Sequence, residues 1–244
     1  MSTETSFTES QFDNYYPEGI NNFYWNDARN KIIFKTIKDL QLYDPIVEIG
    51  CGRGPVVEFL RSKHILIKGY EIANIQPYDS VKDIVECNTD AVNVPHAEAF
   101  RFKTMLLLDV VEHIEDPVAF INALLDRFKN VEQLLITVPA CNEIFSNYDT
   151  SCGHFLRYDF DSAKSLADQL NLHINHMSYF FKGLYPPARI LKSIKKDRNT
   201  TIIPPVGELQ KIFHRMISLY FQVEYHLFPA QVKGSSLLLV LRRK

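Results

Sequence analysis

At 244 residues, 46% hydrophobic and 23% charged, the chain has the usage of a globular protein and not of a disordered or fibrous one. A net charge of -2 argues against a general nucleic-acid binder, and no apolar run reaches the ~18 residues of a membrane span. The charge is unevenly shared, since residues 182–244 carry 12 Lys+Arg against 3 Asp+Glu and residues 1–181 carry 15 against 26. The first residues, MSTETSFTES, lack the basic and apolar regions of a signal peptide, and residues 1–21 are expected to form a flexible lead. Cys51, Cys87, Cys141 and Cys152 fit no CxxC or zinc spacing, so free thiols in a reducing compartment, the cytoplasm, are expected.

In chain order, residues 26–42 place Ile33, Ile37 and Leu40 at helical spacing and stop before Asp44-Pro45. A short strand, Ile46–Ile49, runs straight into Gly50-Cys51-Gly52-Arg53-Gly54, and Pro55 suits the first position of a helix. Strands are predicted at 65–72, 84–87, Thr104–Leu108 and 134–138, with a helix opened by Asp116-Pro117 between the last two. An irregular stretch over 139–158 is too long for a plain connector and is where a site is expected. A helix at 161–170, a strand at 172–180, an insertion rich in proline and bases, and a strand at 236–241 complete the chain. This alternation predicts a doubly wound α/β fold, Rossmann-like, with seven mostly parallel strands and helices on both faces.

A glycine turn after a first strand points to a nucleotide-like ligand across the carboxyl ends of the strands. A dinucleotide fingerprint begun at Gly50 needs a small third residue where Pro55 stands, which disfavours a nicotinamide-dependent oxidoreductase. The pattern present is Glu48-x-Gly50-x-Gly52-x-Gly54. Bare main chain there lets a ligand approach closely, and Glu71, about 20 residues past the turn, is placed to accept ribose hydroxyls.

The acidic residue followed by GxGxG resembles the first motif of class I methyltransferases that use S-adenosylmethionine. The resemblance continues from about residue 22 through NNFYWNDARNKIIF, DVVEHIEDP, LLITVPA, GHFLRYDFDS, SYFFKGLYPPARIL and the closing GSSLLLVLRRK. These segments resemble a bacterial branch often found near cell-envelope polysaccharide genes. Leu156 stands where arginine is common, and Glu replaces the commoner Asp at 48 and 71, departures that bear on the acceptor site more than on the cofactor.

The resemblance implies a domain over 22–244, with a cofactor half at about 22–138 and acceptor-side loops at about 139–235. It implies S-adenosyl-L-methionine as cofactor, with S-adenosyl-L-homocysteine as product, bound by Glu48, Gly50, Cys51, Gly52, Gly54, Glu71 and Ile72. Asp90 matches the position that meets the adenine amino group, with Ala91 beside it, and Asp109 closes the fourth strand at the same cleft. Arg29 and Trp25 are read either as a lid in which Arg29 pairs the cofactor carboxylate, or as part of a capping helix with Trp25 in its seam. The expected acceptor is an oxygen of a small-molecule or glycan-like compound, with His154 as candidate base and Arg157 and Tyr158 as candidate acceptor binders.

No metal is expected. The alternative is a divalent ion on Asp109, Glu112 and His113, because ubiquinone-pathway and small-RNA 2'-hydroxyl methyltransferases hold one with an ExxEH sequence at this place. A non-catalytic cofactor- or partner-binding member of the fold is the other alternative. The basic, aromatic stretch between Tyr179 and Phe228, with Lys182, Arg189, Lys192, Lys195, Lys196 and Arg198, suggests peripheral contact with an anionic membrane or a lipid-linked sugar phosphate.

Overall fold

The computed structural model describes residues 9–195, 197 and 202–244; Lys196 and Arg198 of the basic stretch lie outside the described residues. The elements in chain order are α1 (Glu9–Tyr15), α2 (Tyr24–Asp39), β1 (Ile46–Ile49), α3 (Pro55–Ser62), β2 (Ile67–Tyr70), β3 (Val85–Glu86), α4 (His96–Ala99) and β4 (Thr104–Leu108). There follow α5 (Pro117–Arg127), β5 (Gln133–Pro139), α6 (Asn147–Cys152), α7 (Phe160–Gln169), β6 (Leu172–Phe180), α8 (Tyr185–Ser193), α9 (Glu208–Leu227) and β7 (Ser236–Arg243).

Seven strands form one sheet in the order β3-β2-β1-β4-β5-β7-β6, with the first five parallel and β7 antiparallel to both β5 and β6. β1, β4 and β5 are buried along their whole length, as strands covered on both faces must be. One apolar cluster lies on each face: Val47, Met105, Leu107 and Leu134 against α5 and α7, and Ile46, Leu106, Leu108 and Leu135 against α2 and α3. The expected fold class is the one observed.

Local chemistry sets the helix starts. Asp116 accepts from the Ala119 amide at 2.9 Å to cap α5, with Pro117 in its first turn, and Asp159 and Ser162 cap α7 reciprocally. The strand order reverses between β1 and β4, so a crevice opens past their carboxyl ends, and the loops carrying Gly50–Gly54, Glu71 and Asp109 meet there.

Three features differ from the sequence reading. The lead is no loose tail from Glu9 onward: Phe12 is buried against Ala73 and Ile75, so α1 packs on the body. The stretch over 139–158 holds a helix, α6, opened by a reciprocal cap between Ser146 and Asp149. Among the described residues the insertion after β6 contains two α-helices, one of them the 20-residue α9. Among the described residues no helix is long and apolar enough to cross a membrane.

Candidate active site

β1 ends by turning away from the sheet plane while staying tied to β2, because the Gly50 and Cys51 amides both donate to the Tyr70 carbonyl. Gly50 has φ 73°, and a Cβ there would sit 2.7 Å from Val110 Cγ2. Gly52 has φ 56°, and a Cβ there would meet the Tyr16 ring at 2.6 Å. Only glycine satisfies both the left-handed backbone and the close approach. Gly54 precedes Pro55 as the cap of α3, and the Cys51 thiol is buried inward.

Carboxylates flank this turn. Glu71 accepts from the Gly52 amide at 2.8 Å and from the Ala73 amide at 2.9 Å, so it fixes the turn as well as facing it; Ile72 beside it is half-buried. Glu48 is only 2% exposed, and its Oε2 has no hydrogen-bond partner. Burial pushes its carboxyl up to about 8; Arg29 opposes the rise, and Glu71 and Asp109 add to it. Asp90 is engaged as a cap, accepting from the Val92 amide at 3.2 Å over buried Ala91.

Asp109 has φ 56° and accepts from the Thr137 hydroxyl at 3.3 Å. A non-glycine residue held in the left-handed region at a strand end marks a site where backbone strain is kept in place by its surroundings. Arg29 forms an ion pair with Asp109, and its guanidinium lies 4.7 Å over the Trp25 ring. Trp25 in turn stacks on Phe181 at 5.4 Å. Of the two readings for this helix, the geometry has Trp25 in a packed seam with Arg29 reaching from it into the crevice.

The residues that sequence reasoning missed are in the N-terminal segment. The Tyr16 ring lies on Gly52, within electrostatic reach of Glu71, Arg29, Glu48 and Asp109, and its carbonyl accepts from Tyr78 at 3.0 Å. Asp13 pairs with Arg53 at 2.5 Å, and Gln11 donates to the Ser151 carbonyl at 3.0 Å. The segment therefore straps the crevice from the β2 side to α6. Its signal was the spacing of Phe12, Tyr15 and Tyr16, one face of a helix.

A second cluster is built in the loop after β5. Asp149 is buried and accepts from the Ser146 amide at 2.9 Å, Arg157 Nε at 2.8 Å and His154 Nδ1 at 2.9 Å. Burial alone would raise its carboxyl, but these bonds hold it down at about 2. Arg157, expected as an acceptor binder, also donates to the carbonyls of Ala140 and Ser235 and is 6% exposed. Tyr158 is likewise packed in the core, its hydroxyl raised to about 12 by burial. His154 turns its other nitrogen toward Glu112, 3.9 Å away, and its ring lies 4.8 Å from that of His113. The structure thus brings His154, Glu112 and His113 together, while Asp109 is engaged by Arg29 and Thr137.

The basic, aromatic stretch divides. Phe180, Phe181, Phe221 and Lys182 are buried, with Lys182 Nζ donating to the Phe228 carbonyl. α9 turns Leu209, Phe213, Met216, Tyr220 and Leu227 outward, with Leu209 84% exposed.

Residues 22–194 match the family described as "Methyltransferase domain". No curated protein matches the sequence. Among solved structures, an N-methyltransferase of Haemonchus contortus, in complex with phosphomonomethylethanolamine and S-adenosylhomocysteine, aligns with TM-score 0.58 and 15% identity over 100% of this chain and 61% of that one. The plantazolicin methyltransferase BamL, in complex with a desmethyl analogue and SAH, aligns with TM-score 0.52 and 14% identity over 96% and 88%. The magnesium protoporphyrin IX methyltransferase of Synechocystis, with bound SAH, aligns with TM-score 0.50 and 11% identity over 99% and 90%. At these identities the likeness is one of fold.

Proposed function

The chain belongs to the methyltransferase-domain family, and from that premise we propose that it moves the methyl group of S-adenosylmethionine onto an oxygen of a small, glycan-like acceptor. The observation that carries the cofactor reading is the bare main chain at Gly50 and Gly52 between two buried carboxylates, one of which, Glu48, keeps an oxygen without a hydrogen-bond partner. An ammonium supplies the donor that this oxygen lacks, and Glu71 retains lone pairs for ribose hydroxyls after its two amide bonds. The cofactor supplies a methyl on a sulfonium; the protein holds the acceptor oxygen in line with it, so that an O–C bond forms as the C–S bond breaks.

An oxygen acceptor must also lose its proton. Support for that chemistry comes from the Asp149–His154 pair, in which a buried carboxylate fixes the imidazole by Nδ1 and leaves Nε2 without a hydrogen bond to Asp149, 3.9 Å from Glu112. Phe155, 61% exposed beside His154, offers an apolar face against which a sugar ring packs. The outward stripe of α9 together with Arg189, Lys192 and Lys195 supports peripheral contact with an anionic membrane, the setting of a lipid-linked sugar.

Calorimetry with S-adenosylhomocysteine tests the cofactor, and incubation with nucleotide sugars and envelope glycans tests the acceptor by the mass gain of one methyl. Failure to bind S-adenosylhomocysteine would refute the whole reading. One observation favours a second reading, a binder without turnover: the Tyr16 ring covers the Gly52 face of the cradle. Cofactor binding without a methylated product from any hydroxylated acceptor is what that reading expects.

A further inference from the structure

A surface helix ordinarily turns one apolar stripe to the core and polar residues to water. α9 has two apolar faces. Ile217, Phe221 and Tyr225 pack on the body, with the Phe221 ring against Tyr24 of α2 and Phe181 after β6. On the opposite face, among the described residues, Leu209, Ile212, Met216, Leu219 and Val223 are exposed, Met216 by 66% and Leu219 by 58%. Phe213, Tyr220 and Leu227 are exposed along one flank of that row. Together these eight side chains leave on the order of 1,000 Å² of mostly apolar surface in one strip, where the largest patch on a typical monomer is about 300–600 Å².

We propose that this strip pairs with the same strip of a second copy of the chain, the two α9 helices running antiparallel across a two-fold axis. The positions 209, 212, 216, 219 and 223 alternate steps of three and four, the 3.5-residue period of a narrow seam that faces another helix. An antiparallel pairing centred between Ile217 and Ser218 sets Met216 of each copy on Leu219 of the other, Ile212 on Val223, and Leu209 on His226. Along the flanks Phe213 of each copy meets Tyr220 of the other, and Arg215 meets Gln222. Aromatic therefore faces aromatic, and no two like charges oppose each other. Opposed helix dipoles add to the attraction.

Area and charge both favour a second copy over lipid. A standard interface hides about 800 Å² on each partner, which the strip supplies without help from another element. The same patch meeting itself about a two-fold axis closes as a dimer and leaves no sticky end. α9 carries two bases, Lys211 and Arg215, against two acids, Glu208 and Glu224, so it has no excess charge to draw it to anionic headgroups. Lys211 is moreover paired with Glu208 at 2.7 Å. The membrane contact proposed above then falls to α8, where Arg189 and Lys192 stand with exposed Ile190 and no acid in the helix.

The test is sedimentation equilibrium of the full chain, whose mass of 28.3 kDa should double at micromolar concentration and return to the monomer on dilution. Met216→Asp sets a charge twice at the centre of the seam and should weaken the dimer at least about 100-fold. Its far-UV circular dichroism should stay unchanged, because the side chain is exposed in the single copy. Ile212→Glu and Val223→Lys should each give a monomer, and the double variant should dimerise again. Those two positions lie about 16 Å apart along one helix, too far to pair within it, so recovery reports the antiparallel contact between copies. A parent chain that stays monomeric, or a dimer unmoved by Met216→Asp, overturns the proposal; a double variant that stays monomeric overturns the antiparallel pairing. Phosphatidylglycerol vesicles that bind a monomeric parent chain but not Met216→Asp would give the strip to the membrane instead.

Discussion

Glu48 makes the cofactor reading quantitative. With its carboxyl at about 8, it is about 90% protonated at pH 7 in the free protein. A ligand ammonium set against its partnerless oxygen favours the ionised form, so binding must expel the proton. Calorimetry of S-adenosylhomocysteine in two buffers of different ionisation enthalpy should therefore report release of about 0.9 proton per site at pH 7 and about 0.5 at pH 8, with affinity rising about tenfold per pH unit from 6 to 7. Glu48→Gln should abolish both the release and the slope. The same shift acts on stability with a defined sign. A folded-state pKa raised from 4.5 to about 8 contributes stability that is full below the unfolded value and is lost as pH rises through 8. The loss is at most about 5 kcal/mol at 1.36 kcal/mol per unit. Glu48→Gln should thus gain on the parent protein in denaturant melts at pH 9 relative to pH 5. Proton release that persists in the glutamine variant, or none in the parent protein, refutes the placement of an ammonium at Glu48.

Four residues elsewhere give further expectations. Gly52→Ala sets a Cβ 2.6 Å from the Tyr16 ring at φ 56°, so S-adenosylhomocysteine affinity should fall at least about tenfold while far-UV circular dichroism stays unchanged. Arg157→Met removes one donor from buried Asp149 and one each from two carbonyls, and should cost about 3–5 kcal/mol in urea unfolding. Asp149, held at about 2, contributes stability that is present above about pH 4 and lost as pH falls through 2; Asp149→Asn should flatten that acid limb in denaturant melts. Tyr16→Ala uncovers the cradle, so stopped-flow association of S-adenosylhomocysteine should quicken and its apparent affinity tighten.

The sheet and the glycine turn were legible because they are local. Apolar runs such as Met105–Leu108 admit few structures in a chain that alternates strand with helix, and Pro55 announced the start of α3. The acceptor side was not legible, because its pairings are long-range. Arg157 reads as an anion binder in GHFLRY, yet it donates to Asp149 eight residues back and to Ser235 just before β7. His113 and Glu112 were visible as a pair, but the third member, His154, arrives only when α6 folds and Phe155 bonds to Glu112. α1 was misjudged as loose because a seven-residue helix cannot stand alone in water, and Phe12 is ordered only by the Ala73–Ile75 surface it covers.

That same α1 segment ties the two halves of the crevice together. Phe12 lies on the loop beyond Glu71, Tyr16 lies on Gly52, and Gln11 and Tyr15 bond Ser151 on α6, two residues from Asp149. Tyr16 follows directly on the end of α1 at Tyr15, so the ring over Gly52 and the bonds to Ser151 belong to one short segment. α6 is where Asp149 holds His154. One short segment thus touches both the glycine turn and the helix that carries Asp149.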